Sequence, residues 1–329
     1  MPDSRLNNDE RLVQLSFSKS GILSGLLMVG ALLGFTAWSR AQPTRLPAPP
    51  GVGVIRFEVA STDGWRIDGG RLAGAWRLSS DEPRFGGVSA LAIERGSMLA
   101  LSDSGVTIRF ALPNAGATTA EGRFADLGDG PCDPRWKSCR DSEALVAAPG
   151  GGWFVGFENH HSLWRFDAAL RNGRGIADLD GQGFVANRGI EGLAALADGR
   201  LIAFPEDGGM LLVADPASRA IKREAVRGLG PGVSDAVTLP DGRILLVRRR
   251  FGLAGFTSEL LTLGKDRRGW AVALVARLSL GGLDNSEGAA AQPLPGGGTR
   301  LWLVTDNDFR AGVATLLVAI DLPADRRVP

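Results

Sequence analysis

From Gly86 to Leu322 the chain is a succession of short apolar runs separated by small turn-forming clusters. Met98–Leu101, Trp153–Phe157, Leu201–Phe204, Ile244–Val247 and Leu301–Val304 are such runs, and Gly, Asp or Pro stand between them and their neighbours. Runs this short, bounded by turn residues, read as strands. Beyond the N-terminal stretch no segment sustains a helical period.

The runs come in pairs, and the pairs repeat. "GVSALAIERGSMLALSDSG" begins at Gly87, "DSEALVAAPGGGWFVGFEN" at Asp141 and "GIEGLAALADGRLIAFPED" at Gly189. "VSDAVTLPDGRILLVRRRF" begins at Val233 and "NSEGAAAQPLPGGGTRLWLVTDND" at Asn285. Each is a strand of small residues, a Gly-rich turn and a bulkier strand. Alignment of the five places Ser89, Glu143, Glu191, Asp235 and Glu287 in register, about 44 to 54 residues apart. An all-strand unit of this length is the signature of a β-propeller blade, and a sandwich imposes no such repeat. Strand-like sequence after each hairpin, such as "SLWRFDAAL" and "MLLVADP", supplies outer strands. The expected fold is therefore all-β, a β-propeller over residues 51–325 with five countable repeats. "VIRFEVAS" and "RLAGAWRL", which precede the first repeat, either complete the last blade or contribute to a sixth.

The repeat also organises the acids. Positions equidistant from a hairpin turn lie opposite each other. Reflection pairs Glu191 with Glu206, Glu143 with Glu158, Asp235 with Arg248, and Glu287 with a position close to Asp306. Ser89 faces Ser102 or Asp103. The polar residues thus gather at one end of every blade, and ring closure brings them to one mouth of the channel. Facing carboxylates raise one another's pKa values, and a hard cation with oxygen ligands, Ca²⁺ above all, would compensate them. The expected ligands are Glu143, Glu191, Asp235, Glu287 and Asp306. On a strand Arg248 and Arg250 share a face while Arg249 points away, so Arg248 and Arg250 are the expected clamp for phosphate oxygens. Arg188 and Arg310 are further candidates. Glu158 or Glu206 would serve as general base. The structural alternative is that acids at strand starts cap turns or accept backbone N–H groups between blades.

Ser20 to Ser39 carries no charge, follows Arg11 and Lys19, and precedes Arg40. As an N-terminal hydrophobic helix ahead of the propeller it is long enough to span a bilayer, while Ser39 and Ala41 suit cleavage before Gln42 as a secretory signal. Both readings of residues 1–41 export the rest of the chain to the periplasm, free or held at the inner membrane. Residues 42–50 form a Pro-rich spacer. Cys132 and Cys139, in "GPCDPRWKSCRD", are in an exported chain most simply a local disulfide that stiffens one loop.

Composition narrows the function class. Lys plus Arg (37) nearly balances Asp plus Glu (36), which argues against a nucleic-acid partner. There is no G-x-S-x-G, so a nucleophile elbow is not evident. The two histidines, His160 and His161, are adjacent, and on a strand only one of them would face the mouth.

The five quoted motifs, in this order, resemble the phytase-like family of exported bacterial proteins, also called "esterase-like activity of phytase". The resemblance runs from about Gly86 to Leu322. It implies a β-propeller and suggests hydrolysis of phosphate or other esters. The related β-propeller phytases hold Ca²⁺ with acidic side chains at the channel mouth. Positions matching the family's acidic motifs are Glu143, Glu158, Glu191, Glu206, Asp284, Glu287, Asp306 and Asp308. Ser89, where other repeats carry an acid, and Pro205, in "FPED", depart from the pattern. The expectation is a monomeric, Ca²⁺-dependent hydrolase of an ester or phosphoester, touching membrane only through its N-terminal segment. The alternatives are a non-catalytic propeller that binds a ligand or protein in the cell envelope, and a scaffold at the membrane.

Overall fold

Five four-stranded antiparallel sheets account for nearly every strand in the computed structural model. It describes residues 47–324, apart from 115, 185–187, 253–254, 282–284, 308 and 310–312, and apart from the side chains of 255 and 256. The apolar stretch at 20–39 lies outside the described residues, as do Asp284, Asp308 and Arg310. Three strands come first: β1 (Gly51–Val59), β2 (Arg66–Asp68) and β3 (Arg71–Ser80). Sheet I is β4 (Val88–Glu94), β5 (Ser97–Ser102), β6 (Val106–Ala111) and β7 (Thr119–Asp126). Sheet II is β8 (Ser142–Ala147), β9 (Trp153–Phe157), β10 (Ser162–Phe166) and β11 (Arg174–Asp178). Sheet III is β12 (Ile190–Ala195), β13 (Leu201–Pro205), β14 (Met210–Ala214) and β15 (Ile221–Arg227). Sheet IV is β16 (Val233–Thr238), β17 (Ile244–Gly252), β18 (Gly255–Asp266) and β19 (Gly269–Ser279). Sheet V has β20 (Ser286–Pro293), β21 (Thr299–Thr305) and β22 (Thr315–Leu322) from the end of the chain, and its fourth strand is β3.

That last pairing decides between the two readings of the first strands. "RLAGAWRL" is β3, and it pairs antiparallel with β22 from Leu78↔Thr315 to Arg71↔Asp321. The two ends of the domain are thereby zipped into one sheet. "VIRFEVAS" falls largely in β1, which bridges β3 of sheet V to β7 of sheet I. The first strands touch in cyclic order, β4 to β8 to β12 to β16 to β20 and back to β4. The fold is a β-propeller.

The core is divided into five wedges, one at each junction between neighbouring sheets. Successive side chains of a strand point to opposite faces, so each bulky strand feeds two wedges. Ile202 and Phe204 pack toward sheet IV with Leu246 and Leu261, while Leu201 and Ala203 pack toward sheet II with Phe154 and Leu163. Trp302 and Val304 likewise meet sheet I, and Leu301 and Leu303 meet sheet IV. Sheets buried on both faces need unbroken apolar runs rather than alternation, which is why "LIAF" and "LWLV" show no polar face. Trp76 of β3 stacks on Trp302 with ring centroids 5.8 Å apart, so the closing strand is held by packing as well as by its ladder.

Every first strand carries a one-residue bulge near its start. The skipped residues are Ser89, Glu143, Glu191, Ser234 and Glu287. A bulge leaves its residue out of the ladder and re-aims the side chain. In sheet IV the equivalent of the glutamates is therefore Ser234, and the alignment on Asp235 is off by one. Asp235 pairs with Val247, while Arg248 faces Val233.

Asp235 instead joins two sheets. Its carboxylate accepts the N–H of Ala236 at 2.6 Å and that of Ala289, in the first strand of sheet V, at 2.5 Å. Ser89 does the equivalent between sheets I and II, donating to the carbonyl of Ser142 at 2.6 Å. Ser142 donates back to Ser102 O at 2.7 Å. Asp235→Ala would strand two buried N–H groups, and its expected cost is about 1–3 kcal/mol, read as a lower urea midpoint at unchanged m-value; an unaltered midpoint would show that the clamp carries no stability.

Candidate functional site

Two tiers of side chains ring one mouth of the channel. The bulge residues form the first tier. The second tier lies at the end of each second strand, where a backbone N–H reaches the chain entering the first strand. Asp103 donates to Gly87 O at 2.8 Å, Glu158 to Asp141 O at 2.8 Å and Glu206 to Gly189 O at 3.3 Å. Arg249 donates to Gly232 O at 2.7 Å and Asp306 to Asn285 O at 3.2 Å. These five positions are equivalent, and sheet IV alone puts a cation there.

Among Arg248, Arg249 and Arg250, it is thus Arg249 that stands among the acids of the ring. Its guanidinium is ion-paired with Glu287, donates to Asn285 Oδ1 at 2.6 Å and stands 4.0 Å from Glu206 Oε1. Arg248 is ion-paired with Glu259, and Arg250 approaches the same carboxylate at 3.7 Å. The bulge at Ser234 and the register of β17 reverse the expected faces. Among the described residues, the acid that Arg248 and Arg250 pair with is Glu259, outside the ring.

The acids are densest at sheets II and III. Asp141, Glu143 and Glu158 each offer a carboxylate oxygen within 4.8 Å of the others. Burial pushes Glu143 well above the ordinary carboxylate range, and Asp141, Glu191 and Glu158 push it further. Burial raises Glu158 to about 8, with the charge of Asp141 and a hydrogen bond to it adding to the effect. Glu191 is raised by burial and by Glu158 and Glu287, against the opposing pull of Arg249. Asp235, buried in the wall, is also raised by burial despite its two N–H donors.

A loop outside the repeats supplies the other cation. Lys137 Nζ lies 2.9 Å from Asp103 Oδ2 and 2.8 Å from Asp141 Oδ1, and Asn159 donates to the second oxygen of Asp141. Lys137 opens a short 3₁₀ turn, Lys137–Cys139, closed by the Cys132–Cys139 disulfide. Lys137, Asp141, Asn159, Arg249 and Ser234 are the residues that sequence reasoning missed. The repeat itself could have found Arg249 and Ser234, through a one-residue shift of the fourth repeat.

The histidines sit in the turn between β9 and β10 rather than on a strand. His160 lies beside the disulfide, 2.8 Å from Cys132 Sγ, and His161 packs on Phe184 at 5.2 Å. Cys132, Cys139 and His160 converge in the manner of three metal ligands, but a disulfide has no thiolate to offer. The Asp141–Glu143–Glu158 set is different in kind. It is made of carboxyl oxygens alone, spaced for ligands that share one ion at 2.3–2.6 Å, so once deprotonated it fits a hard cation such as Ca²⁺.

Beside the ring, on the side of sheets III and IV, opens a cavity of about 650 Å³. Glu206 and Arg249 form its inner wall, Arg188, Arg248 and Arg250 its flanks, and the exposed ring of Phe251 its rim. Arg188 is held by Asp207 at 2.6 Å.

The family described as "Phytase-like: Esterase-like activity of phytase" matches residues 83–309. That span holds both tiers, the lysine loop and most of the blades. The chain belongs to the phytase-like family. A search of curated proteins finds no match. Among solved structures this phytase-like chain is similar to the Malassezia sympodialis allergen Mala s 1, at 14% identity and TM-score 0.45, covering 77% of this chain and 88% of that one. It is similar to virginiamycin B lyase from Staphylococcus aureus at 9% identity and TM-score 0.43, covering 83% and 100%. A Bacteroides thetaiotaomicron protein of unknown function gives 13% identity and TM-score 0.45, covering 83% and 76%. At these values none of them assigns a substrate to the phytase-like chain.

The raised carboxyls give the metal-free protein an inverted pH dependence. Between an ordinary pKa near 4.5 and the folded value near 8 for Glu158, the folded state keeps a proton that the unfolded chain has released. Stability is then full at low pH and falls as pH rises through this window. In chelator-treated protein the unfolding free energy is expected to drop by a few kcal/mol from pH 5 to pH 8.5, and Glu158→Gln should flatten the slope. A melting temperature that climbs over that range would refute the assignment.

Proposed function

We propose that the mouth of this propeller hydrolyses phosphate or other esters, with Ca²⁺ held by Asp141, Glu143 and Glu158 and with Glu191 beside them. The observation that carries the reading is the shared wall: Glu206 and Arg249 belong both to the carboxylate ring and to the arginine-lined cavity. An ester anion seated in that cavity would lie against the acids. Bound there, the ion would polarise an ester oxygen and favour ionisation of water.

The chain's own residues take the remaining roles. Arg188 and Arg250, both well exposed, orient the anionic oxygens of the ester. Glu206 takes the proton from the attacking water as the new C–O or P–O bond forms. The ester C–O or P–O bond then breaks, and the leaving oxygen gains a proton from solvent at the open mouth. Arg249, fixed by Glu287 and Asn285, holds the cavity wall and limits the freedom of Glu206. Asp235, Glu287 and Asp306, expected as ligands, take other places in this proposal: Asp235 clamps sheets, Glu287 anchors Arg249, and Asp306 stands in the second tier of sheet V. The disulfide accords with export to an oxidising compartment.

One observation favours a second reading, a propeller that binds an anionic ligand without turnover. Lys137 and Arg249 already neutralise part of the ring, so the mouth has some compensation without a metal.

Purified protein given p-nitrophenyl phosphate and p-nitrophenyl acetate with Ca²⁺ is expected to turn over one of them, and excess chelator to stop it. Glu206→Gln should lower kcat by roughly 10²–10⁴-fold, whereas Arg250→Ala should act chiefly on KM. No turnover of either substrate, together with a melting temperature indifferent to chelator, would sink the hydrolase reading.

A further inference from the structure

Among the described residues, the lysine loop brings to the mouth a cation that the repeats do not supply. It reaches in from the connection between β7 and β8, and its backbone is pinned on both sides of Lys137. Upstream, Cys132 is bonded to Cys139, which is itself buried. Downstream, Arg140 donates its N–H to Lys137 O at 2.8 Å, and its side chain is locked in a buried ion pair with Asp126. The ammonium so positioned bridges two sheets, touching Asp103 of sheet I and Asp141 at the entry to sheet II. Glu143 adds its field from β8. Burial works against the charge, yet the three acids outweigh it and hold the ammonium firmly protonated.

We propose that Lys137 is a tethered cation that takes, between Asp103 and Asp141, the place of a metal ion in the carboxylate ring, and that the Cys132–Cys139 disulfide keeps it there. An ammonium offers three N–H donors from a compact charge, and both contacts are at hydrogen-bond length, so it satisfies two carboxylates much as a cation would. The disulfide supplies what a lysine on a free loop lacks: its long side chain would otherwise lose rotamer freedom on docking, and the loop itself would have to be ordered. Asp141 links this position to the Asp141–Glu143–Glu158 set. Lys137 therefore lowers the number of ions the ring accepts and leaves the next one to sheets II and III. The proposal rests on the metal reading only for that neighbouring ion; the lysine's own role stands apart from it.

Ca²⁺ titration of the chelator-treated full-length chain, monitored by calorimetry and by native mass spectrometry, tests both parts. Lys137→Met is expected to bind one more Ca²⁺ than the wild type, and Lys137→Arg to keep the wild-type number. Lys137→Met should also melt lower than the wild type without metal and recover with millimolar Ca²⁺. The Cys132→Ser/Cys139→Ser variant, with Lys137 intact but untethered, should gain the same extra ion. A wild type that binds no Ca²⁺ while Lys137→Met binds one would uphold the lysine's role and remove the proposed hydrolytic metal. Equal numbers and equal affinities in wild type and Lys137→Met would overturn the lysine's role and leave the hydrolytic metal standing. No binding by either would overturn both, and a double serine variant that titrates like the wild type would overturn the tether.

Discussion

Closing a ring of twisted sheets forces five equivalent strand ends into one small mouth, and that constraint underlies most of this protein's distinguishing features. The closure is made by β3, which joins β22 and so binds the two ends of the domain together. With the ring closed, each sheet has a neighbour on both faces and the apolar side chains fill five wedges instead of one central core. The small residues of the first strands, among them Ala90, Ala144, Gly192, Ala236 and Gly288, are what the crowded centre admits. A Cβ built on Gly192 would come within 2.9 Å of Ala236 N, and one on Gly288 within 2.9 Å of Ala90 Cα. The bulge near the start of each first strand turns one side chain out of the ladder, and in three sheets that side chain is a glutamate.

Convergence of carboxylates is costly, since each raises the free energy of ionising the next. The mouth meets this in two ways at once. Glu143, Glu158 and Glu191 hold their protons well above the ordinary range. Elsewhere internal cations stand among the acids, Lys137 between Asp103 and Asp141, and Arg249 against Glu287. Breaking either pair would leave a partly buried carboxylate without its partner, which costs far more than the pair itself gains. A divalent cation entering the ring would thus compete with protons at sheets II and III, and with a lysine at sheets I and II.

Five repeats spaced by tens of residues were legible because ring closure demands equivalence, and equivalence leaves a period in the chain. The gathering of Glu143, Glu158, Glu191, Glu206 and Glu287 at one end of the blades was legible for the same reason. The fourth repeat was misread by one residue. A bulge adds one residue to one strand and leaves no mark in a pattern of small apolar positions, so Asp235 and Arg248 looked like site residues while Ser234 and Arg249 held the positions. One residue is enough to exchange the faces of a strand. Lys137 was illegible for another reason: it is carried by a loop outside the period, and the disulfide, the Arg140–Asp126 pair and the bond from Arg140 N–H to Lys137 O fix where it lands.

The departures from fivefold equivalence fall together, and they give the mouth a direction. Sheets I and IV carry serine at the bulge, Ser89 and Ser234, where the other three carry glutamate. These are the same two sheets at which the cations stand, Lys137 against Asp103 of sheet I and Arg249 as the second-tier residue of sheet IV. Fewer acids and an added positive charge act in the same sense there, while sheets II and III retain both tiers of acid in Glu143, Glu158, Glu191 and Glu206. The arginine-lined cavity opens on the side of sheets III and IV, where Glu206 and Asp207 meet Arg248, Arg249 and Arg250. A ligand with an anionic end would be drawn to the arginines, and any carboxyl that ionised beside it would repel it unless a cation bridged the two. In the proposed hydrolase, the asymmetry of the ring, more than the presence of its acids, is what would place an anion beside a cation.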